Sequence, residues 1–95
     1  AEAVPGAALV VSICPEPPLP TGKAAAAAAH AAQLAAMRMP ADRLARWSAA
    51  GFPVLVEHPA PAAWAELRRT SPVEIVDAGF TVVAPNTTTA VARWA

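Results

Sequence analysis

Tyrosine is absent from this chain, cysteine occurs once, and glycine four times. A single thiol, Cys14, cannot close an internal disulfide, so no disulfide scaffold holds the fold and a reducing compartment, by default the cytosol, suits it. Two histidines and one cysteine without ligand spacing give no metal motif, and nothing calls for a cofactor. Net charge is zero, which excludes a strongly basic nucleic-acid binder of the ordinary kind. Long apolar runs are also missing. The longest, Ala24 to Met37, is interrupted by His30 and Gln33 and falls short of the roughly 20 residues that cross a bilayer. The run Ala7 to Ile13 has no basic lead and no cleavage pattern after it, unlike a signal peptide. Of the seven basic residues only Lys23 is a lysine.

What remains is alanine, valine and proline. At 95 residues there is room for one core and one domain, 1–95. A start without methionine reads as a domain trimmed or excised from a longer protein.

Val10, Val11 and Ile13, bounded by Pro5-Gly6 and Pro15, predict a buried strand. The linker Pro15-Glu16-Pro17-Pro18-Leu19-Pro20 cannot be helical. It delivers the chain to Thr21, the expected N-cap of an alanine-rich helix from about Gly22 to Met39, ended by Pro40. Asp42 to Ala50 predicts a second helix, closed by Gly51 in the left-handed position. Phe52 to Glu57 predicts a strand. Its Val54-Leu55-Val56 is apolar on both faces, as a central strand covered by helices would be. Pro61 to Arg69 predicts a short helix. Val73 to Asp77 predicts a strand with Val73, Ile75 and Asp77 on one side, and Thr81 to Ala84 and Thr89 to Trp94 complete the sheet. Strand, helix, helix, strand, helix, strand, strand is the order of a compact α/β domain, a mixed sheet with helices packed on it.

Several polar residues stand out against this background. Lys23 and His30, seven residues apart, fall within about 20° of each other around a helix and can line one groove. Lys23 lies in the first turn, where free backbone N–H groups favour an anion. Asp77 precedes a turn, with Thr81 beyond it and Thr87, Thr88 and Thr89 after that. Arg38, Arg43 and Arg46 form a local basic cluster that, with Lys23, could hold phosphate. The tryptophans Trp47, Trp64 and Trp94 could stack bases, but on elements this small they more often anchor a core. Taken singly, each polar residue has an ordinary structural reading: an ion pair, a satisfied histidine, a turn carboxylate, strand-forming threonines.

Gly22-Lys23 followed by small residues to His30-Ala31-Ala32, then Leu44 to Trp47 leading to Gly51 and a valine-rich strand, then Asp77-Ala78-Gly79-Phe80-Thr81 and Ala84-Pro85, resembles the type II peptidyl-tRNA hydrolases over nearly the whole chain. The resemblance implies a mixed four-stranded sheet, commonly a homodimer, and hydrolysis, without metal, of the ester joining a peptide to tRNA. It also implies Lys23, His30, Asp77, Thr81 and Thr89 as catalytic residues, with Gly22, Arg38, Arg43 and Arg46 on the substrate side. Peptidyl-tRNA would be the partner, with no membrane involved. Ala27 stands where the family carries glutamine. With the neutral charge, that substitution favours a second class of function, a hydrolase-like domain serving as a binding or interaction module.

Overall fold

The computed structural model describes residues 6–77 and 86–95. Its elements run β1 (Leu9–Ile13), α1 (Thr21–Arg38), α2 (Ala41–Ala49), β2 (Val54–Glu57), α3 (Pro61–Thr70), β3 (Val73–Asp77) and β4 (Thr87–Trp94). This is an α/β fold around one mixed four-stranded sheet of order β2-β1-β4-β3. β1 pairs parallel with β2 and antiparallel with β4, and β3 pairs antiparallel with β4. The strands β1, β2 and β3 therefore point the same way. Their carboxyl ends share one edge of the sheet, and α1 starts from that edge.

β1 is central, and all five of its residues are buried. Leu9, Val11 and Ile13 join Ala90 and Ala92 of β4 and Val73 and Ile75 of β3 in the core. α1 lies on that face through Ala27, Ala31 and Ala35. Alanine serves two ends here: it has the best helix propensity, and its single methyl lets the helix axis approach the sheet closely. Met39 and Trp47 extend the same core.

The helix ends follow from local chemistry. α1 begins one residue earlier than expected. Pro20, not Thr21, is its N-cap residue, and no side chain caps it. The extended ψ of Pro20 leaves its C=O to accept the Ala24 N–H at 2.9 Å, so Thr21 becomes the first helical residue. Met39 turns extended because Pro40 follows it. α2 closes as expected on Gly51 at φ +86°. The Gly51 N–H donates to Ser48 C=O and the Phe52 N–H to Trp47 C=O, both at 2.9 Å. These bonds, with the edge-on contact of the Trp47 and Phe52 rings at 5.0 Å, make a Schellman close. The Trp47 indole N–H donates to Pro53 C=O at 2.9 Å, which ties α2 to the start of β2 and gives this tryptophan a structural role.

The main departure from expectation is β2. It lies at the sheet edge, and Val54, Leu55 and Val56 are all exposed. A run apolar on both faces reads the same whether a strand is central or merely uncovered, so pattern alone could not place it. β4 starts at Thr87, two residues before the expected Thr89. A bulge between Ile75 and Val76 of β3 leaves Thr89 of β4 without an opposite residue. The expected strand Thr81 to Ala84 lies outside the described residues. No helix among the described residues is long and apolar enough to cross a membrane.

Candidate functional site

The carboxyl edge shared by β1, β2 and β3 is where an open α/β sheet usually presents its ligands. At that edge the first turn of α1 meets the end of β3. Lys23 and Asp77, 54 positions apart, form an ion pair between the ammonium and Oδ2. The pair is shielded but reachable, with side chains 23% and 11% exposed. Asp77 is held from behind as well, because its C=O accepts the Asn86 N–H at 2.8 Å. Asn86 sits at φ +64°, a conformation asparagine tolerates better than most residues. It turns the chain so that Thr87 pairs with Asp77.

The other expected site residues are spread differently. His30 lies on the same flank of α1 as Lys23, two turns on, and is exposed. Gly22 is exposed too, and a Cβ built there would meet nothing within 4 Å. Thr89 is turned inward at 1% exposure; its hydroxyl reaches Ile75 C=O at 3.5 Å and its C=O accepts the Cys14 N–H at 2.9 Å. Ala27, which stands where the family carries glutamine, is buried against the sheet. Thr81 and the Ala78-Gly79-Phe80 and Ala84-Pro85 stretches lie outside the described residues.

The arginine cluster separates. Arg43 is buried at 4% exposure. Its Nε donates to Ala95 C=O at 2.8 Å and its Nη2 to Ala8 C=O at 3.3 Å. Arg38 and Arg46 remain exposed. Arg38 ends α1, fifteen residues from Lys23, about 22 Å away at the usual helical rise. Lys23 and Arg38 therefore sit at opposite ends of α1, Arg43 is buried and Arg46 belongs to α2, so the four do not form the single cluster expected.

A second polar group, unseen in the sequence, spans three strands. Ser12 of β1 donates to Glu57 Oε1 of β2 at 2.5 Å, and Arg93 of β4 donates from Nη1 to the same oxygen at 2.8 Å and to the Ser12 hydroxyl at 3.1 Å. Burial alone pushes the Glu57 carboxyl up. The hydrogen bonds from Ser12 and Arg93 and the Arg93 charge outweigh it, so the carboxyl titrates below its ordinary range. Register carries the signal that pattern lacks: Ser12 faces Glu57 across the parallel pair.

Cys14 is buried, with its thiol against Pro17 C=O at 3.5 Å. Burial pushes that thiol up, with a smaller push from Glu16, against a backbone hydrogen bond that lowers it. Such a thiol is not an activated nucleophile. No group of three or more histidine, cysteine, aspartate or glutamate side chains among the described residues is placed to hold a metal ion.

Compared with known proteins, the chain matches no protein-family model and no curated protein sequence. Chemistry at the Lys23–Asp77 edge is thus the basis for a functional reading. A carboxylate and an ammonium held together beside free helix N–H groups can order a water, stabilise a developing oxyanion and attract a phosphate.

Proposed function

We propose that this chain is a peptidyl-tRNA hydrolase, cleaving the ester between a peptide and the terminal ribose of tRNA and acting in the cytoplasm, where peptidyl-tRNA accumulates. The observation that carries the reading is the Lys23–Asp77 pair: two residues the motif resemblance singled out, from opposite ends of the sequence, meet at the carboxyl edge of the sheet.

In this mechanism Asp77 orients the attacking water and takes up its proton as the water oxygen bonds the ester carbonyl carbon. Lys23 offsets the negative charge that builds on the carbonyl oxygen. Collapse breaks the bond to the ribose oxygen, which leaves with a proton, giving a peptide carboxylate and a free ribose hydroxyl. His30, two turns along the same flank, positions the substrate rather than serving as base. The resemblance names Thr81 and Thr89 as hydrogen-bond donors; the Thr89 hydroxyl is buried against Ile75 C=O, so the donor role rests on Thr81. Arg38, at the far end of α1, and Arg46, in α2, both exposed, are the substrate-side residues that meet the tRNA backbone in this reading. The resemblance carries the metal independence of the reaction.

The burial of Thr89 and of Ala27 favours a second reading, in which the domain keeps the fold and binds without turning over. Deacylation of peptidyl-tRNA by the parent chain, beside Lys23→Ala and Asp77→Asn, separates the two. Turnover lost in both variants supports the hydrolase; tRNA binding without turnover in a folded parent supports the module.

A further inference from the structure

Asp77 closes β3, and β3 is the outer strand of the sheet on the side away from β2. The strand that ends in the site therefore has one edge turned away from β4, and alternation along it decides which groups line that edge. The Asp77 C=O accepts the Asn86 N–H, so Asp77 turns toward β4, and Ile75 and Val73, two and four positions back, do the same. Thr89 gives the same phase, because its C=O turns toward β1 to accept the Cys14 N–H, leaving Ala90 and Ala92 to pair with Ile75 and Val73. The N–H and C=O groups of Glu74 and Val76 thus point out of the sheet, and no described residue takes them. β3 does carry guards against pairing with another sheet: it is five residues long, follows Pro72 and includes a charge. None of them blocks a single extended chain. The Glu74 carboxylate is turned inward, taken by the Thr88 hydroxyl of β4 at 2.9 Å and by Arg68 at 3.2 Å. Pro72 lacks only a donor, one step beyond Glu74, and the Val76 side chain is half exposed.

We infer that this edge binds the peptide arm of the substrate as a fifth strand parallel to β3, with the ester-bearing residue opposite Asp77. The inference rests on the hydrolase reading and deepens it. A nascent peptide has no fixed sequence, so the groups common to all such substrates are main-chain N–H and C=O, which a strand edge pairs without reading side chains. Parallel alignment carries the carboxyl end of the peptide, where the ester lies, to Asp77. Counting back from the ester, the first residue then donates its N–H to Val76 C=O. The third donates to Glu74 C=O and accepts the Val76 N–H, and the fifth accepts the Glu74 N–H. The N–H groups of the second and fourth face away from β3. Neighbouring strands lie about 4.8 Å apart, which brings the ester within one water's reach of the Asp77 side chain. His30 stands about 10 Å along α1 from Lys23, the span of roughly three extended residues, so the arm runs beneath both. β2, the other outer strand, ends about 14 Å from β3 across three strand spacings, too far to deliver the ester to Asp77.

Hydrolysis of tRNA charged with N-acetylalanine, or with acetylated alanine peptides of two to seven residues, tests it. kcat/KM should climb tenfold or more up to five residues, the length of β3, and then level off. On the acetyl-pentaalanyl substrate, N-methylation of the third residue should raise KM at least tenfold, while N-methylation of the second or fourth should change it less than threefold. Val76→Pro, which removes an outward donor and no bond to β4, should flatten the dependence on length, with folding checked by circular dichroism. Rates independent of peptide length, or N-methyl effects without the alternating pattern, overturn the inference and leave the hydrolase reading standing. A folded parent that hydrolyses none of these substrates overturns both.

Discussion

The Lys23 ammonium and the Asp77 carboxylate join the first turn of α1 to the end of β3 across 54 residues. One side chain leaves a helix whose amino end starts at the carboxyl edge of the sheet; the other ends a strand that runs to the same edge. The parallel directions of β1 and β3 make the meeting possible. The Asp77 side chain is only 11% exposed, so taking away the ammonium in Lys23→Ala should cost about 1–2 kcal/mol, read as a modest fall in melting temperature by calorimetry. A loss of several kcal/mol would recast the pair as structural.

The Ser12–Glu57–Arg93 group predicts an acid limit to stability. The folded Glu57 carboxyl titrates below its ordinary value of 4.5. The folded state therefore binds fewer protons there than the unfolded chain. Its contribution is complete above that ordinary value and is lost as pH falls below it through the folded value. Denaturant titrations of the parent and Glu57→Gln from pH 7 to 3 check this: the difference between them should shrink as pH drops. A difference that stays constant would mean the carboxyl is not stabilised by its charge.

Close approach of α1 to the sheet rests on Ala31, which is fully buried. Ala31→Leu should overpack that contact and cost about 1–3 kcal/mol, read as a lower denaturation midpoint with an unchanged slope. Ala25→Leu, on the exposed flank, should cost almost nothing. Equal effects at the two positions would contradict the packing described.

Much of this fold was legible because its signals are local. Pro20 and Pro40 bracket α1 within a residue of where composition put it, Gly51 closes α2, and alternation in Val73–Asp77 gave its buried side. Strand position was not legible, since Val54-Leu55-Val56 carries the pattern of a central strand at the sheet edge. The bulge that turns Thr89 inward depends on pairing between β3 and β4, which no window of sequence contains. For the site, order along the chain brought out Lys23 and Asp77, and the structure joins them. The arginine cluster misled because nearness along the chain ignores helix faces: Arg43 points into the protein while Arg38 and Arg46 do not.

That division makes a prediction about RNA. Arg38→Ala combined with Arg46→Ala should weaken tRNA binding several-fold in a filter or anisotropy assay and leave stability within about 0.5 kcal/mol, as surface changes do. Arg43→Ala should instead destabilise by about 2–4 kcal/mol, because it strips the carbonyls of Ala8 and Ala95 of a buried, charged donor. Arg43→Ala with full stability and lost binding would reverse the assignment.

The most direct measurement is the rate at which the purified chain releases free tRNA from peptidyl-tRNA, against the uncatalysed rate and against Lys23→Ala and Asp77→Asn. The hydrolase account predicts turnover in the parent and a fall of a hundredfold or more in kcat/KM for each variant, with both still folded. A folded parent that binds tRNA but leaves the ester intact, or variants that hydrolyse it as fast as the parent, would contradict it.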